Sequence, residues 1–63
     1  MNLSDRENDI LELIAQGKRN KDIALELGMT LQTVKNHITK IFLKLGVHNR
    51  TEAAVKLLTK QVT

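Results

Sequence analysis

Between Leu27 and Thr51 the chain holds no Asp or Glu, yet that stretch contains Lys35, Lys40, Lys44, Arg50, His37 and His48. Interleaved with them stand Gln32, Thr33, Asn36 and Thr39, side chains that both donate and accept hydrogen bonds. Ammonium groups without neighbouring carboxylates suit a polyanion, and amides and hydroxyls among them suit the edges of bases. On charge alone, a solvated basic face with no partner is the competing reading. The remaining reactive groups are poorly arranged for catalysis. Asp5, Asp9 and Glu12 lie on one open helix face with no nucleophile, Gly-rich loop or concave pocket implied beside them. His37 has no acid on its own face, and His37 and His48, 11 positions apart, do not make a zinc site in a chain without Cys. Neither an enzyme nor a bound cofactor or metal is expected.

The elements that must carry these groups are helices in one small domain. At 63 residues one domain, spanning 1–63, is the ceiling, and it can bury only about 60% of its unfolded surface. With neither disulfide nor metal to staple it, helix packing or self-association must hold it together. The net charge of +3 is unevenly spread: residues 1–30 balance to −2 and residues 31–63 to +5. The N-terminus has no signal-peptide pattern and no apolar run long enough to span a membrane, so a cytoplasmic, nucleoid-associated protein is expected.

Four helices are predicted, at about 4–16, 20–27, 31–45 and 49–61, giving an all-α fold. Ser4 and Glu7 form a capping box, Ile10, Leu11, Leu13 and Ile14 recur at helical spacing, and Gly17 ends the first helix. Asn20 is the expected cap of a short second helix with Ile23, Ala24 and Leu27 inward. Gly28-Met29-Thr30 then makes a tight turn, with Thr30 capping a longer third helix: a helix-turn-helix pattern. On the third helix Leu31, Val34, Ile38, Ile41, Phe42 and Leu45 fall in one arc of about 100°. The rest of the circumference carries Gln32, Thr33, Lys35, Asn36, His37, Thr39, Lys40 and Lys44, with Leu43 the one apolar intruder. A merely solvated helix would mix charge signs to gain i,i+4 pairs, and this one does not. Its N-terminus, from Thr30 to Thr33, offers unpaired amides to a phosphate. In the fourth helix, which Asn49 and Glu52 open, the apolar residues spread over about 200°. Either they close the core on two sides, or Val55, Leu58 and Val62 are left over as a self-association surface.

Several runs carry a closer resemblance. These are Leu3-Ser4-Asp5-Arg6-Glu7, Ile10 to Gly17, Asn20-Lys21-Asp22-Ile23-Ala24, Thr33-Val34-Lys35-Asn36-His37, Lys44-Leu45-Gly46-Val47, Arg50 and Ala53-Ala54. In this order and spacing the chain resembles, over essentially its whole length, the DNA-binding domain of the LuxR family, the group shared by FixJ- and NarL-type response regulators. The resemblance implies a bacterial transcription regulator that binds double-stranded DNA, its third helix in the major groove and its fourth helix pairing two domains on a two-half-site operator. Carried over by position, Lys35, Asn36 and Thr39 would meet base edges, while Lys21, Thr33, His37 and Lys40, with Thr30 at the helix start, would hold the backbone. Nitrate-regulator-like members often carry Lys where this chain has Thr39. The homodimer is expected to be weak without DNA, and RNA polymerase is a further expected partner.

Two other roles fit parts of the sequence. Region four of a sigma factor shares the Ser-x-Arg-Glu opening, although the Lys-Leu-Gly-Val-x-x-Arg segment and the apolar fourth helix argue against it. A stand-alone domain that pairs with a full-length relative and blocks it would also open almost at its first helix, as this chain does.

Overall fold

The computed structural model describes residues 3–62, the side chains of 60–62 excepted. Four helices follow one another: α1 (Asp5–Ala15), α2 (Asn20–Leu27), α3 (Leu31–Leu45) and α4 (Arg50–Val62). Among the described residues there is no strand. The spans expected for α2 and α3 coincide with these. The expected α1 included its two cap residues, and α4 runs one residue later at both ends.

Local chemistry sets most of the boundaries. Glu7 N–H donates to Ser4 Oγ at 3.1 Å and Ser4 N–H donates to Glu7 Oε1 at 2.8 Å, so two amides at the start of α1 are satisfied reciprocally. At α2 the expected cap is displaced by one residue. Asp22 Oδ2 accepts from the Arg19 amide at 3.2 Å, which makes Arg19 the N-cap and puts Asn20 inside the helix. Gly28 and Gly46 end α2 and α3 at φ values of 67° and 69°. A Cβ at either would meet nothing within 4 Å, so glycine is needed there for its backbone and not for space. Beyond each, the chain folds back: Met29 N–H donates to the Ala24 carbonyl at 2.8 Å and Val47 N–H to the Phe42 carbonyl at 3.1 Å.

The core joins all four helices. Ile10, Leu11, Leu13 and Ile14 from α1 meet Ile23 and Ala24 from α2, Val34, Ile38 and Ile41 from α3, and Ala53 from α4. α1 lies against both α3 and α4, and α2 lies against α3. The expected apolar stripe of α3 is narrower at its ends. Leu31 is 43% exposed, because as the first helical residue its side chain leans back past the helix start and away from the core. Phe42 and Leu45 are half-buried at the rim. Val47, which precedes α4 in a loop with no periodicity to reveal it, is buried.

Among the described residues one ion pair crosses the fold, and it reassigns Lys44. That residue belongs by the helical wheel to the polar arc of α3, but its Nζ donates to Glu7 Oε1 at 2.8 Å. The Glu7 side chain is almost wholly buried, so its charge is held where only Lys44 and the Ser4 amide can compensate it. The Lys44 ammonium, followed by the Ser4 N–H, draws the Glu7 carboxyl down to about 2. Lys44 is therefore a strut that fixes α3 against the start of α1.

Candidate nucleic-acid interface

The turn between α2 and α3 and the exposed side of α3 make one continuous polar surface. Thr30 caps α3: its Oγ1 accepts from Thr33 N–H at 3.1 Å and shares a hydrogen bond with Thr33 Oγ1 at 2.8 Å. Either hydroxyl of this pair can donate to the other, so one of the two hydroxyl hydrogens remains for an acceptor outside the protein. Val34 N–H is taken by the Thr30 carbonyl at 3.1 Å, which leaves the Leu31 and Gln32 amides as the first-turn donors without a helix partner. Those amides sit at the positive end of the helix dipole.

Further along α3, Lys35, Asn36, Thr39 and Lys40 are all exposed, and His37 is half-buried at the edge of the same surface. Gln32 Nε2 donates to Asn36 Oδ1 at 3.0 Å, one helical turn away. This contact takes one lone pair of Asn36 Oδ1 and leaves the other, and the NH2 group, without a partner among the described residues. That is the donor and acceptor pair that adenine requires in the major groove. The i,i+4 spacing carried the signal for Gln32 as a positioning partner, yet it was not among the expected contact residues. Thr39 Oγ1 donates back to the Lys35 carbonyl at 3.1 Å, so its hydroxyl can only accept from a base in this arrangement.

The ionic setting separates the cations into two groups. Among the described residues, Arg6 pairs with Asp9, Arg19 with Asp22 and Lys44 with Glu7. Asp22 is held below the usual carboxylate range by the Arg19 backbone N–H first and by its guanidinium second. Lys21, Lys35 and Lys40 pair with no carboxylate among the described residues, and all three are exposed. Asp5, Asp9 and Glu12 are exposed on α1.

Lys21 stands in the first turn of α2, and the start of α2 is anchored from the far end of the chain. Arg50 Nη1 donates to Asn20 Oδ1 and Nη2 to the Lys18 carbonyl, both at 2.6 Å. The first residue of α4 thus clamps the α1–α2 loop beside Lys21. Neither partner is acidic, so the guanidinium charge adds to the positive end of α2. This role of Arg50 joins residues 30 and 32 positions apart and could not be read from local spacing.

On the remaining exposed surface, Val55 and Leu58 of α4 are 54% and 55% exposed, while Ala53 is buried and Leu57 packs partly into the core. Val55 borders a shallow groove with Val47, Thr51 and Thr59. Val62, the third expected member of this patch, has its side chain outside the described residues. No helix among the described residues is long and apolar enough to cross a membrane, and no cluster of His, Cys, Asp or Glu there could hold a metal ion.

Known proteins are similar to this chain in sequence. The sequence model of a family described as GerE, bacterial regulatory proteins, luxR family, matches residues 1–57. The transcriptional regulatory protein LiaR of Bacillus subtilis (strain 168) is 58% identical over 53 residues, 84% of this chain and 25% of LiaR. DesR of the same organism, also a transcriptional regulatory protein, is 50% identical over 54 residues, 86% of this chain and 27% of DesR. The spore germination protein GerE, again of Bacillus subtilis, is 46% identical over 56 residues, 89% of this chain and 76% of GerE. The chain therefore spans about a quarter of the length of LiaR and DesR.

Proposed function

Because the chain belongs to the luxR family of bacterial regulatory proteins, we propose that it regulates transcription by reading a two-half-site operator through α3, two copies meeting through α4. The observation that carries this reading is the exposed, acid-free side of α3, where Lys35, Asn36, Thr39 and Lys40 stand together just beyond a tight turn. In this reading α3 lies in the major groove. Asn36, oriented by Gln32, and Lys35 read base edges, and Thr39 accepts from a base amino group. Lys21, Thr33, His37 and Lys40, with the first amides of α3, grip the phosphates on either side of the groove. Thr30, whose Oγ1 caps the helix start, stands with them at the same phosphate-facing end of α3.

Two copies are needed because a single small domain offers too few contacts for tight, specific binding. Val55 and Leu58 supply the apolar surface for that contact, with Val62 the next position on the same side of α4. A patch of three or four side chains lies well below the roughly 1,000 Å² of a stable interface, so the pair forms on DNA and not before.

The test is to select duplexes from a random library and to measure binding by fluorescence anisotropy as salt is raised. With Lys44 committed to Glu7 and Lys35 at a base edge, Lys21 and Lys40 of each protomer remain for phosphates, and a two-protomer complex should show a log–log salt slope of roughly −4. Asn36→Ala should cost about 1–3 kcal/mol on the selected site and flatten its base preference. Lys40→Ala should weaken selected and random duplexes alike. Asn36→Ala binding with undiminished preference would remove α3 from the groove.

A further inference from the structure

Leu43 is an apolar side chain set in the middle of the polar face of α3. It is 77% exposed, so the protein itself leaves it almost bare. Placed about 100° per residue around the helix, it lies within about 20° of both Gln32 and Asn36 and about 40° from Thr39. A single exposed Leu is ordinary on a protein surface, as Leu25 on α2 is at 82% exposure. What sets Leu43 apart is its line: it continues the row proposed to read bases, one turn beyond Thr39. Its neighbours add to the contrast. The Lys44 ammonium is drawn away to Glu7, and the Thr39 hydroxyl is turned back onto the Lys35 carbonyl. The end of the row is thus less polar than the sequence implies.

We infer that Leu43 is a specificity-determining residue that meets the 5-methyl group of a thymine in the major groove. The inference rests on the proposed placement of α3 there. Thymine is the one base that presents an apolar group in that groove, and a side chain with neither donor nor acceptor can favour only that group. Any other base at the same position would lose water from a polar edge against Leu43 and gain no hydrogen bond. Leu43 lies seven residues, or about 10 Å, along the helix from Asn36. The thymine it meets is therefore at a pair beyond those facing Asn36 and Thr39.

Deoxyuridine provides the test, since it removes only the methyl group. Each thymine of the selected duplex is replaced in turn, and binding of the unaltered chain and of Leu43→Ala is measured by anisotropy. One thymine per half-site should weaken the unaltered chain by about fourfold when replaced, the loss of one buried methyl contact. At that position Leu43→Ala should bind the thymine and uracil duplexes alike, with an unchanged circular dichroism spectrum because Leu43 is no part of the core. If every replacement costs both chains the same, or costs neither anything, the assignment is overturned. Asn36→Ala, measured in parallel, separates the two failures. A loss of base preference there without coupling at Leu43 overturns this inference alone. Undiminished preference in both variants overturns the groove placement as well.

Discussion

Replacing Glu7 by Gln keeps the shape of the side chain and its acceptor for the Ser4 amide but removes the charge that Lys44 faces. Within the fold the Glu7 carboxyl is drawn from 4.5 to about 2, chiefly by the Lys44 ammonium. At about 1.4 kcal/mol for each unit, that shift corresponds to about 3 kcal/mol. The Lys44 side chain is 42% exposed, so water screens part of the attraction, and about 2 kcal/mol is the fairer figure. The sign follows from the direction of the shift. The folded carboxyl is the stronger acid, so the stabilisation is complete above about pH 4.5 and is lost as pH falls toward 2. Urea unfolding followed by circular dichroism across this range measures it. Near neutral pH, Glu7→Gln should be less stable than the unaltered chain by about 2 kcal/mol, and the two curves should converge as pH approaches 2. A gap that stays constant with pH, or no gap at neutral pH, would refute the assignment of Glu7 and Lys44 as a charged strut. For a domain of this size the loss is a large part of the total stability.

Two further substitutions address the turn and the α4 surface. Gly28→Ala should lower stability by about 1 kcal/mol in the same urea assay, because a side chain at φ 67° is strained even though nothing nearby obstructs it. Leu58→Asp should abolish cooperative binding to a two-half-site duplex while sparing weak half-site binding and the helical spectrum, as seen by titrating duplexes with one and two half-sites. Melting of the domain would instead assign Leu58 to the core.

What could be read in the sequence was what neighbouring residues decide among themselves. Ser4 with Glu7, Gly28 before Thr30, and the 3.6-residue recurrence of Val34, Ile38 and Ile41 all act within one or two helical turns. They fixed the helix spans to within a residue or so. The errors lie where distant residues meet. Lys44 belongs by periodicity to the polar arc, and only the fold brings it to Glu7, 37 positions away. Asn20 has the chemistry of a cap, but Arg50 takes its side-chain oxygen while Asp22 caps Arg19. Val47 is buried by a chain reversal after Gly46 that no hydrophobic period announces. The α3 surface was legible because it rests on an absence that needs no tertiary contact to detect: no carboxylate between Leu27 and Thr51.

A nuclear magnetic resonance titration of the 15N-labelled chain with its selected duplex tests the DNA-facing assignment most directly. Backbone signals from Thr30 to Lys40 and of Lys21, and the side-chain amides of Gln32 and Asn36, should move or broaden as duplex is added. Those of Asp5, Asp9 and Glu12 on the acidic exposed side of α1 should stay in place. Perturbations gathered on α1, with α3 left unmoved, would contradict the claim that this helix is the surface that reads DNA.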